Sequence, residues 1–129
     1  MAELRSAPFR AAVEAEDVAA AGELLAEGVV FRSPVVFKPY EGKALVAEIL
    51  KAASRVFEDF RYLAQMESED GAALVFEARV GQRQVQGLDF LRFDEEGRIS
   101  ELTVMMRPLS GVNAMAEAMR AQFEAAGIA

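Results

Sequence analysis

The alternation of side chains between Leu74 and Met106 constrains the fold of this chain more than any other feature. Three runs in which apolar and polar residues alternate are separated by two turns, Gly81-Gln82-Arg83 and Asp94-Glu95-Glu96-Gly97. Turn residues between alternating runs are typical of hairpins. The segment therefore predicts three antiparallel strands.

Pairing across the predicted turns decides which residues share a face of this sheet. A three-residue first turn gives the pairs Arg79–Val85, Glu77–Gly87 and Val75–Asp89. Pairing Phe93 with Arg98 across the second turn adds four residues to the same face: Ser100, Leu102, Val104 and Met106. This face is mostly apolar but carries three charged residues, Glu77, Arg79 and Asp89. Such a face suits the wall of a small-molecule cavity.

The opposite face of the predicted sheet is also apolar, and it carries Leu74, Phe76, Leu88, Phe90, Thr103 and Met105. One layer of helices can cover only one face of a sheet. The row of Leu74, Phe76, Leu88 and Phe90 therefore predicts a partner subunit, most simply in a two-fold homodimer through the outer sheet face. A different strand register is the alternative.

The remaining elements follow from periodicity and from capping residues. Helical patterns cover residues 8–16, a second helix that Asp17 begins and Gly28 ends, Lys43–Phe57, and a final helix with the stripe Val112, Met115, Met119 and Phe123. Strands are predicted at residues 29–33 and 60–66, with an irregular loop at 34–42. This order predicts one α+β domain over residues 1–129, with a cone-shaped, curved antiparallel sheet wrapped around helices and a terminal helix.

Composition excludes several classes of function. The 129 residues carry a net charge of −7 without a basic cluster, which disfavours nucleic acid and anionic membrane surfaces. The absence of Cys and His excludes thiolate nucleophiles, serine-hydrolase triads and the usual zinc sites. We expect no metal and no cofactor, and acid–base chemistry would fall to Asp, Glu, Tyr, Lys or water. Without a membrane span or a secretory signal, the expected location is the cytoplasm.

The layout resembles the SnoaL-like branch of the nuclear transport factor 2 (ketosteroid isomerase-like) superfamily from about Phe9 to Arg107. The residues that carry the resemblance are Val30-Phe31-Arg32-Ser33-Pro34, Tyr40-Glu41-Gly42-Lys43 and, most specifically, the run from Gly87 to Ile99. It implies a cone with a pocket at its open end. Members include ketosteroid isomerases, epoxide hydrolases, polyketide cyclases and dehydratases, so the resemblance indicates fold more than chemistry.

The resemblance carries over to only some of the catalytic positions. Asp89 looks like the protonated aspartic acid that donates a hydrogen bond to the oxyanion in ketosteroid isomerases, which is the standard example of such a group. The isomerase general base falls on Ser33, and its oxyanion tyrosine falls near Ala12. Arg79 looks like the arginine of the epoxide hydrolases, whose flanking acids fall near Gly81 and Val104, with Glu77 a substitute for one of them. Neither known catalytic set is complete.

Two functional hypotheses remain open. In the first, the chain is a cofactor-independent cyclase, isomerase, dehydratase or hydrolase acting on a small hydrophobic molecule through Asp89, Arg79 and Glu77. The predicted pocket comprises Phe31, Ser33, Tyr40, Gly87, Leu91, Leu102, Val104 and Met106. In the second, the chain is a non-catalytic ligand-binding or dimerisation module. Asp89 then fixes strand register, and Glu77 with Arg79 forms a solvated ion pair.

Overall fold

Helices and strands follow one another in the order that a curved α+β sheet requires. The structure is a computed structural model and describes residues 4–128. The helices are α1 (Ala7–Glu14), α2 (Val18–Glu23), α3 (Lys43–Val56) and α4 (Leu109–Ala126). The strands are β1 (Leu25–Arg32), β2 (Tyr40–Glu41), β3 (Glu58–Ser68), β4 (Gly71–Val80), β5 (Arg83–Phe93) and β6 (Ile99–Arg107). The predicted fold class is confirmed.

The six strands form one sheet in the order β2-β1-β6-β5-β4-β3. Neighbours from β3 to β6 are antiparallel, whereas β1 pairs with β6 in parallel and with the short β2 in antiparallel fashion. The helices pack against one face of the curved sheet, which we call the inner face; the opposite face is the outer face. The two-residue strand β2 was not predicted. It is too short to show an alternating pattern, and it is defined only by its pairing with Val30-Phe31 in the folded chain.

The second helix is shorter than its sequence pattern predicts. Asp17 is its N-cap as predicted, and its carboxylate accepts a hydrogen bond from the backbone N–H of Ala20 at 3.0 Å. The helix ends at Glu23 and not near Gly28, because Leu25 already belongs to β1 and is fully buried in the core. Burial of Leu25 in the sheet prevails over the weak helical preference of the residues between it and Gly28.

The turn between β4 and β5 has two residues and not three. Val80 pairs with Arg83, and Gly81 in the turn adopts a φ of 58°, which glycine tolerates without steric cost. A one-residue change of register moves the side chains of a strand to the other face of the sheet. Asp89 therefore pairs with Leu74, and the predicted pairing with Val75 is wrong.

The pairing across the turn between β5 and β6 also differs from the prediction, but the side chains of β6 keep their predicted faces. Phe93 pairs with Ile99 and not with Arg98, and a bulge shifts the register once more before Arg92 pairs with Glu101. The two single-residue shifts cancel in their effect on side-chain direction. Val104 consequently lies directly opposite Asp89 on the inner face, and Leu102 and Met106 share that face as predicted.

The core lies between the inner face and the helices. Its fully buried large side chains include Leu25, Val46, Ile49, Leu74, Phe76, Leu91, Ile99 and Leu102. Leu74 and Phe76 were predicted on the outer face, and the two-residue turn places them in this core. Within residues 4–128, no helix combines the length and the apolar character needed to cross a bilayer.

Candidate active site

A cavity of about 1250 Å³ lies between the inner face of the sheet and the helices. Residues of all four helices contribute to its lining, together with residues of β1 to β6 and of the loop after β1. Met115, Met119 and Phe123 of α4 close one side, so three of the four residues in the predicted stripe of the last helix lie at the cavity. The lining is mostly apolar, as in most pockets for organic molecules.

Aromatic rings form one wall of the cavity. The rings of Phe60 and Phe76 are stacked with centroids 4.7 Å apart, and Phe57 lies 5.6 Å from each. The Tyr62 ring meets that of Phe60 edge-on at 5.0 Å. Contacts of this kind add to the stability gained from burial of the rings. The wall is therefore a fixed surface.

A buried hydrogen bond joins Tyr62 and Asp89, the two buried polar side chains among the described residues of the cavity lining. The hydroxyl of Tyr62, on β3, donates to Oδ2 of Asp89, on β5, at 2.8 Å. Tyr62 is 7% exposed and Asp89 is 8% exposed. Burial removes both groups from water, so each depends on the other for hydrogen bonding.

Burial changes the protonation chemistry of both groups. Burial raises the pKa of Asp89 to about 7, while the hydrogen bond from Tyr62 acts in the opposite direction. Burial, and then the neighbouring Asp89 carboxyl, raise the pKa of the Tyr62 phenol, which stays protonated. Near neutral pH, Asp89 therefore exists as a mixture of acid and carboxylate, as general acid–base catalysis requires.

The second carboxyl oxygen of Asp89 faces the cavity. Among residues 4–128, no group donates a hydrogen bond to Oδ1, yet no fully buried side-chain oxygen or nitrogen in that range lacks a partner. Oδ1 is therefore not enclosed by protein, and Asp89 lines the cavity. A bound molecule can exchange a proton or a hydrogen bond with this oxygen.

Glu77 and Arg79 lie away from the cavity, and their predicted position beside Asp89 is wrong. The two-residue turn at Gly81-Gln82 puts both side chains on the outer face. Arg61 donates to Glu77 at 2.6 Å, and the Arg79 guanidinium contacts the carboxylates of Glu58 at 2.7 Å and Asp59 at 2.9 Å. These are solvated ion pairs of the kind that contribute little to stability.

Five of the eight predicted pocket residues line the cavity: Phe31, Ser33, Tyr40, Leu102 and Val104. Tyr40 packs between Phe31 and Phe123, at centroid distances of 6.3 and 6.1 Å. Ser33 lies half-buried, and its Oγ accepts hydrogen bonds from the backbone N–H groups of Val35 and Val36. Tyr40 and Ser33 thus belong to the cavity wall, and each also stabilises its own segment of the chain.

Three other predicted pocket residues do not belong to the described lining of the cavity: Gly87, Leu91 and Met106. Leu91 is fully buried in the core, and Met106 is partly buried against it. The space over Gly87 is occupied by the Phe76 ring, whose Cζ would lie 2.3 Å from an added Cβ. The missing side chain of Gly87 therefore admits an aromatic ring of the protein and not a ligand.

Tyr62 was not predicted as a site residue, although its strand was. The alternation of Phe60, Tyr62, Ala64 and Met66 indicates a strand, but a bulge after Tyr62 turns Ala64 and Met66 to the outer face. One feature of the sequence could have identified Tyr62 as a site residue: it is a phenol at an inward position of a predicted strand, in a chain with only two tyrosines. Its partner Asp89 is distant in sequence, so pairing could not be inferred.

The charged residues of the cavity lining lie at its exposed rim, with Asp89 as the exception. They are Glu14, Glu16, Asp17, Glu58, Asp59, Glu117, Arg120 and Glu124. Within the part of the chain that the structure describes, no group of three or more carboxylates is placed to hold a metal ion. The interior chemistry of this cavity thus belongs to Tyr62 and Asp89.

A curved sheet around helices, with a cavity between them, defines the nuclear transport factor 2-like class. The sequence profile of the SnoaL-like domain family matches residues 7–102, and the chain belongs to this family. The resemblance noted from the sequence is thereby confirmed. A comparison with functionally curated proteins found no match.

Solved structures agree with this assignment. A steroid delta-isomerase from Pseudomonas aeruginosa is 39% identical, with a TM-score of 0.88 over 95% of this chain and 94% of that one. An uncharacterized protein with a cystatin-like fold from Silicibacter pomeroyi DSS-3 is 33% identical, with a TM-score of 0.88 over 93% of this chain and 85% of that one. An NTF2-like protein of unknown function from Mesorhizobium loti shares the fold at 19% identity, with a TM-score of 0.69 over 84% and 98%.

Proposed function

We propose that this protein is a cofactor-independent enzyme that moves a proton on a small, largely apolar carbonyl compound. The observation that carries the proposal is the Tyr62–Asp89 pair inside an otherwise apolar cavity, with Oδ1 of Asp89 open to the cavity. Similarity to a protein described as a steroid delta-isomerase supports an isomerase-type reaction. Asp89 is its acid–base group.

The proposed step needs only the carboxyl of Asp89. As a carboxylate, Oδ1 takes the proton from the carbon next to the carbonyl. The electron pair of that C–H bond forms a carbon–carbon double bond, and the π pair of the carbonyl moves onto its oxygen to give an enolate. Asp89 then returns the proton to the same carbon or to another one. A pKa near 7 lets the group accept and release this proton near neutral pH.

Tyr62 serves Asp89 in this reaction and does not take the proton. Its hydroxyl holds Oδ2 at 2.8 Å, which orients the carboxyl so that Oδ1 points to the cavity. Its pKa is raised by burial, so the phenol remains a donor throughout. The ring of Phe60, which stacks on the buried ring of Phe76, provides a flat apolar surface for the body of the substrate.

A specific observation favours a second candidate, a non-catalytic ligand-binding module. The position that corresponds to the isomerase general base is Ser33, whose hydroxyl is engaged with the backbone of the following loop. Among the described lining residues, no buried donor besides Tyr62 and Asp89 is available to stabilise an enolate oxygen. In this alternative, Asp89 only donates a hydrogen bond to a ligand carbonyl.

Deuterium exchange separates the two candidates. We would incubate the protein in D₂O with 1-tetralone and larger fused-ring ketones and follow loss of the proton next to the carbonyl by NMR, with calorimetry of binding alongside. Tetralin, which has the same rings without the carbonyl, is the matched ligand. The enzyme proposal expects catalysed exchange that Asp89→Asn abolishes while the variant stays folded.

The other outcomes are equally informative. Ketone binding without catalysed exchange identifies the non-catalytic module. Exchange that continues unchanged in Asp89→Asn rejects Asp89 as the acid–base group. Absence of binding for the whole ketone series overturns both candidates, since each of them requires a carbonyl ligand in the cavity.

A further inference from the structure

A cation lies over the face of the Tyr62 ring. The guanidinium carbon of Arg10, on α1, is 5.7 Å from the centroid of the ring whose hydroxyl holds Asp89. A guanidinium at this distance from an aromatic face is attracted by the negative charge density of the ring. Arg10 does not touch Asp89 and does not line the described cavity. Any effect it has on Asp89 passes through Tyr62.

Polar contacts on two sides fix the position of the Arg10 guanidinium. Its Nη1 donates to Oε1 of Gln65 at 3.0 Å, and its Nε donates to Oε2 of Glu14 at 3.2 Å. The remaining contact is the Tyr62 ring itself. A planar guanidinium held by two acceptors and one ring has little freedom to rotate.

The orientation of Gln65 is itself imposed by a buried serine. Its Nε2 donates to Oγ of Ser6 at 2.8 Å, which leaves Oε1 to face Arg10. Ser6 is fully buried, and both its hydroxyl and its backbone N–H donate to Oε2 of Glu67 at 2.7 Å. Ser6 precedes α1 but does not cap it with its side chain, because that hydroxyl is engaged with Glu67. The network thus connects the start of α1 with β3 around Arg10.

The charged side chains that act on the pair come from one element, α1. Arg10 and Glu14, both on α1, act on Tyr62: the cation lowers the pKa of the phenol, and the anion raises it, as Asp89 and above all burial do. Tyr62 is the titratable group that acts on Asp89. The neighbours of Asp89 in the sheet, Leu74 and Val104, are apolar.

We propose that Arg10 is a positioning residue that acts through Tyr62, by holding the phenol in place and strengthening the hydrogen bond that it donates to Asp89. Its importance for turnover rests on the proposed function above. The contacts among the Tyr62 ring, the Arg10 guanidinium and the Asp89 carboxyl do not rest on it, because they are made by the protein alone. Loss of the Arg10 charge should weaken the hydrogen bond to Oδ2 and so favour the protonated form of Asp89.

The test is the titration of the Asp89 carboxyl carbon by ¹³C NMR in the folded chain without ligand. We expect Arg10→Met, which keeps an unbranched apolar side chain, to raise the Asp89 midpoint by about half a pH unit. Arg5→Met is the matched control. Arg5 contacts the same Glu67, and its guanidinium lies 4.9 Å from the Phe93 ring and not over Tyr62. It should leave the midpoint unchanged.

A double-mutant cycle tests whether Tyr62 carries the effect. Tyr62→Phe should raise the midpoint by itself, and Arg10→Met should add nothing in that background. An unchanged midpoint in folded Arg10→Met overturns the proposal, as does an equal shift with and without the phenol. Should Arg10→Met fail to fold, Arg10→Gln replaces it, because its amide can still donate to Gln65 without carrying a charge; a higher midpoint is expected, and an unchanged one contradicts the proposal.

The ligand-free titration also keeps this inference separate from the proposed function. A shifted midpoint together with an absence of ketone binding supports the role of Arg10 and rejects the enzyme. Catalysed exchange together with an unshifted midpoint supports the enzyme and rejects Arg10 as its positioning residue.

Discussion

The hydroxyl of Tyr62 donates a hydrogen bond of 2.8 Å to the carboxyl of Asp89, which lies 27 residues further along the chain. The two strands that carry them, β3 and β5, are separated in the sheet by β4. The bond therefore spans the strand between them, over the inner face where Leu74 and Phe76 are buried. Its existence depends on the register of three strands at once.

The protonation of Asp89 should make the stability of the protein depend on pH. Burial raises the pKa of Asp89 to about 7 in the folded state, while an unfolded chain has the ordinary value of about 4. Between these values the folded state holds a proton that the unfolded chain releases. The contribution of Asp89 to the free energy of unfolding should thus be highest below about pH 4, fall as pH rises to about 7, and stay level above it.

Urea unfolding at pH 4 and pH 8, for the native chain and Asp89→Asn, measures this contribution. The stability of the native chain relative to the variant should drop by roughly 3–4 kcal/mol between the two pH values. The comparison with Asp89→Asn is needed because Glu67 changes the stability with pH in the opposite direction. Burial alone would raise the Glu67 pKa, but hydrogen bonds from Ser6 outweigh it and lower that pKa. Equal pH dependence of both chains would contradict a buried, protonatable Asp89.

Packing of Phe76 over Gly87 predicts that a methyl group at position 87 is costly. A Cβ there would lie 2.3 Å from Cζ of Phe76 and 2.8 Å from the backbone oxygen of Met105. The ring is 1% exposed and is packed against the rings of Phe57 and Phe60. We expect Gly87→Ala to lose about 1–3 kcal/mol of unfolding free energy or more, as overpacked cores do.

Gly28→Ala is the matched control for this substitution, since nothing lies within 4 Å of an added Cβ and its φ is not in the left-handed region. Chemical denaturation of both variants should show a loss for Gly87→Ala alone. If Gly87→Ala were as stable as the native chain, the Phe76 ring would have to lie elsewhere.

We propose that a second copy of this chain covers the outer face of the sheet. Of the row from which the sequence predicted a homodimer, Leu88 and Phe90 lie on this face, whereas Leu74 and Phe76 are buried in the core. An apolar band crosses that face, with Val75, Leu88 and Met105 paired in one row and Ala73, Phe90 and Thr103 in the next. Met105 is 58% exposed. Paired charges flank the band on both sides, Arg61 with Glu77 and Arg92 with Glu101, so two copies can align without like charges meeting.

Sedimentation velocity tests this association. The native chain should sediment as a dimer, and Met105→Glu should sediment as a folded monomer, because a buried unpaired charge opposes the contact. Val35→Glu, at a position 44% exposed beside the cavity, should remain dimeric. A native monomer at all accessible concentrations would refute the proposal.

Much of the fold could be predicted because it depends on local pattern. The periodicity of α3 predicts residues 43–57, and the helix covers Lys43–Val56. The inward positions of Leu102 and Val104 were predicted correctly although their register was not, since two single-residue shifts left the alternation intact. By contrast, a single residue in the turn at Gly81 was enough to misplace Glu77 and Arg79. Turn length is a local detail with a global effect, because side chains alternate with a period of two.

The sequence by itself determined the α+β order, the family to which the chain belongs and the place of Asp89 on a mostly apolar strand face. Only the tertiary structure decided that Tyr62 is its partner, that Arg10 lies over the phenol and that Gly87 admits a ring of the protein. Alternation and capping act between neighbours along the chain, and a sequence displays them directly. Desolvation, which raises the pKa of Asp89, and the packing that leaves a cavity beside it depend on residues brought together only by folding.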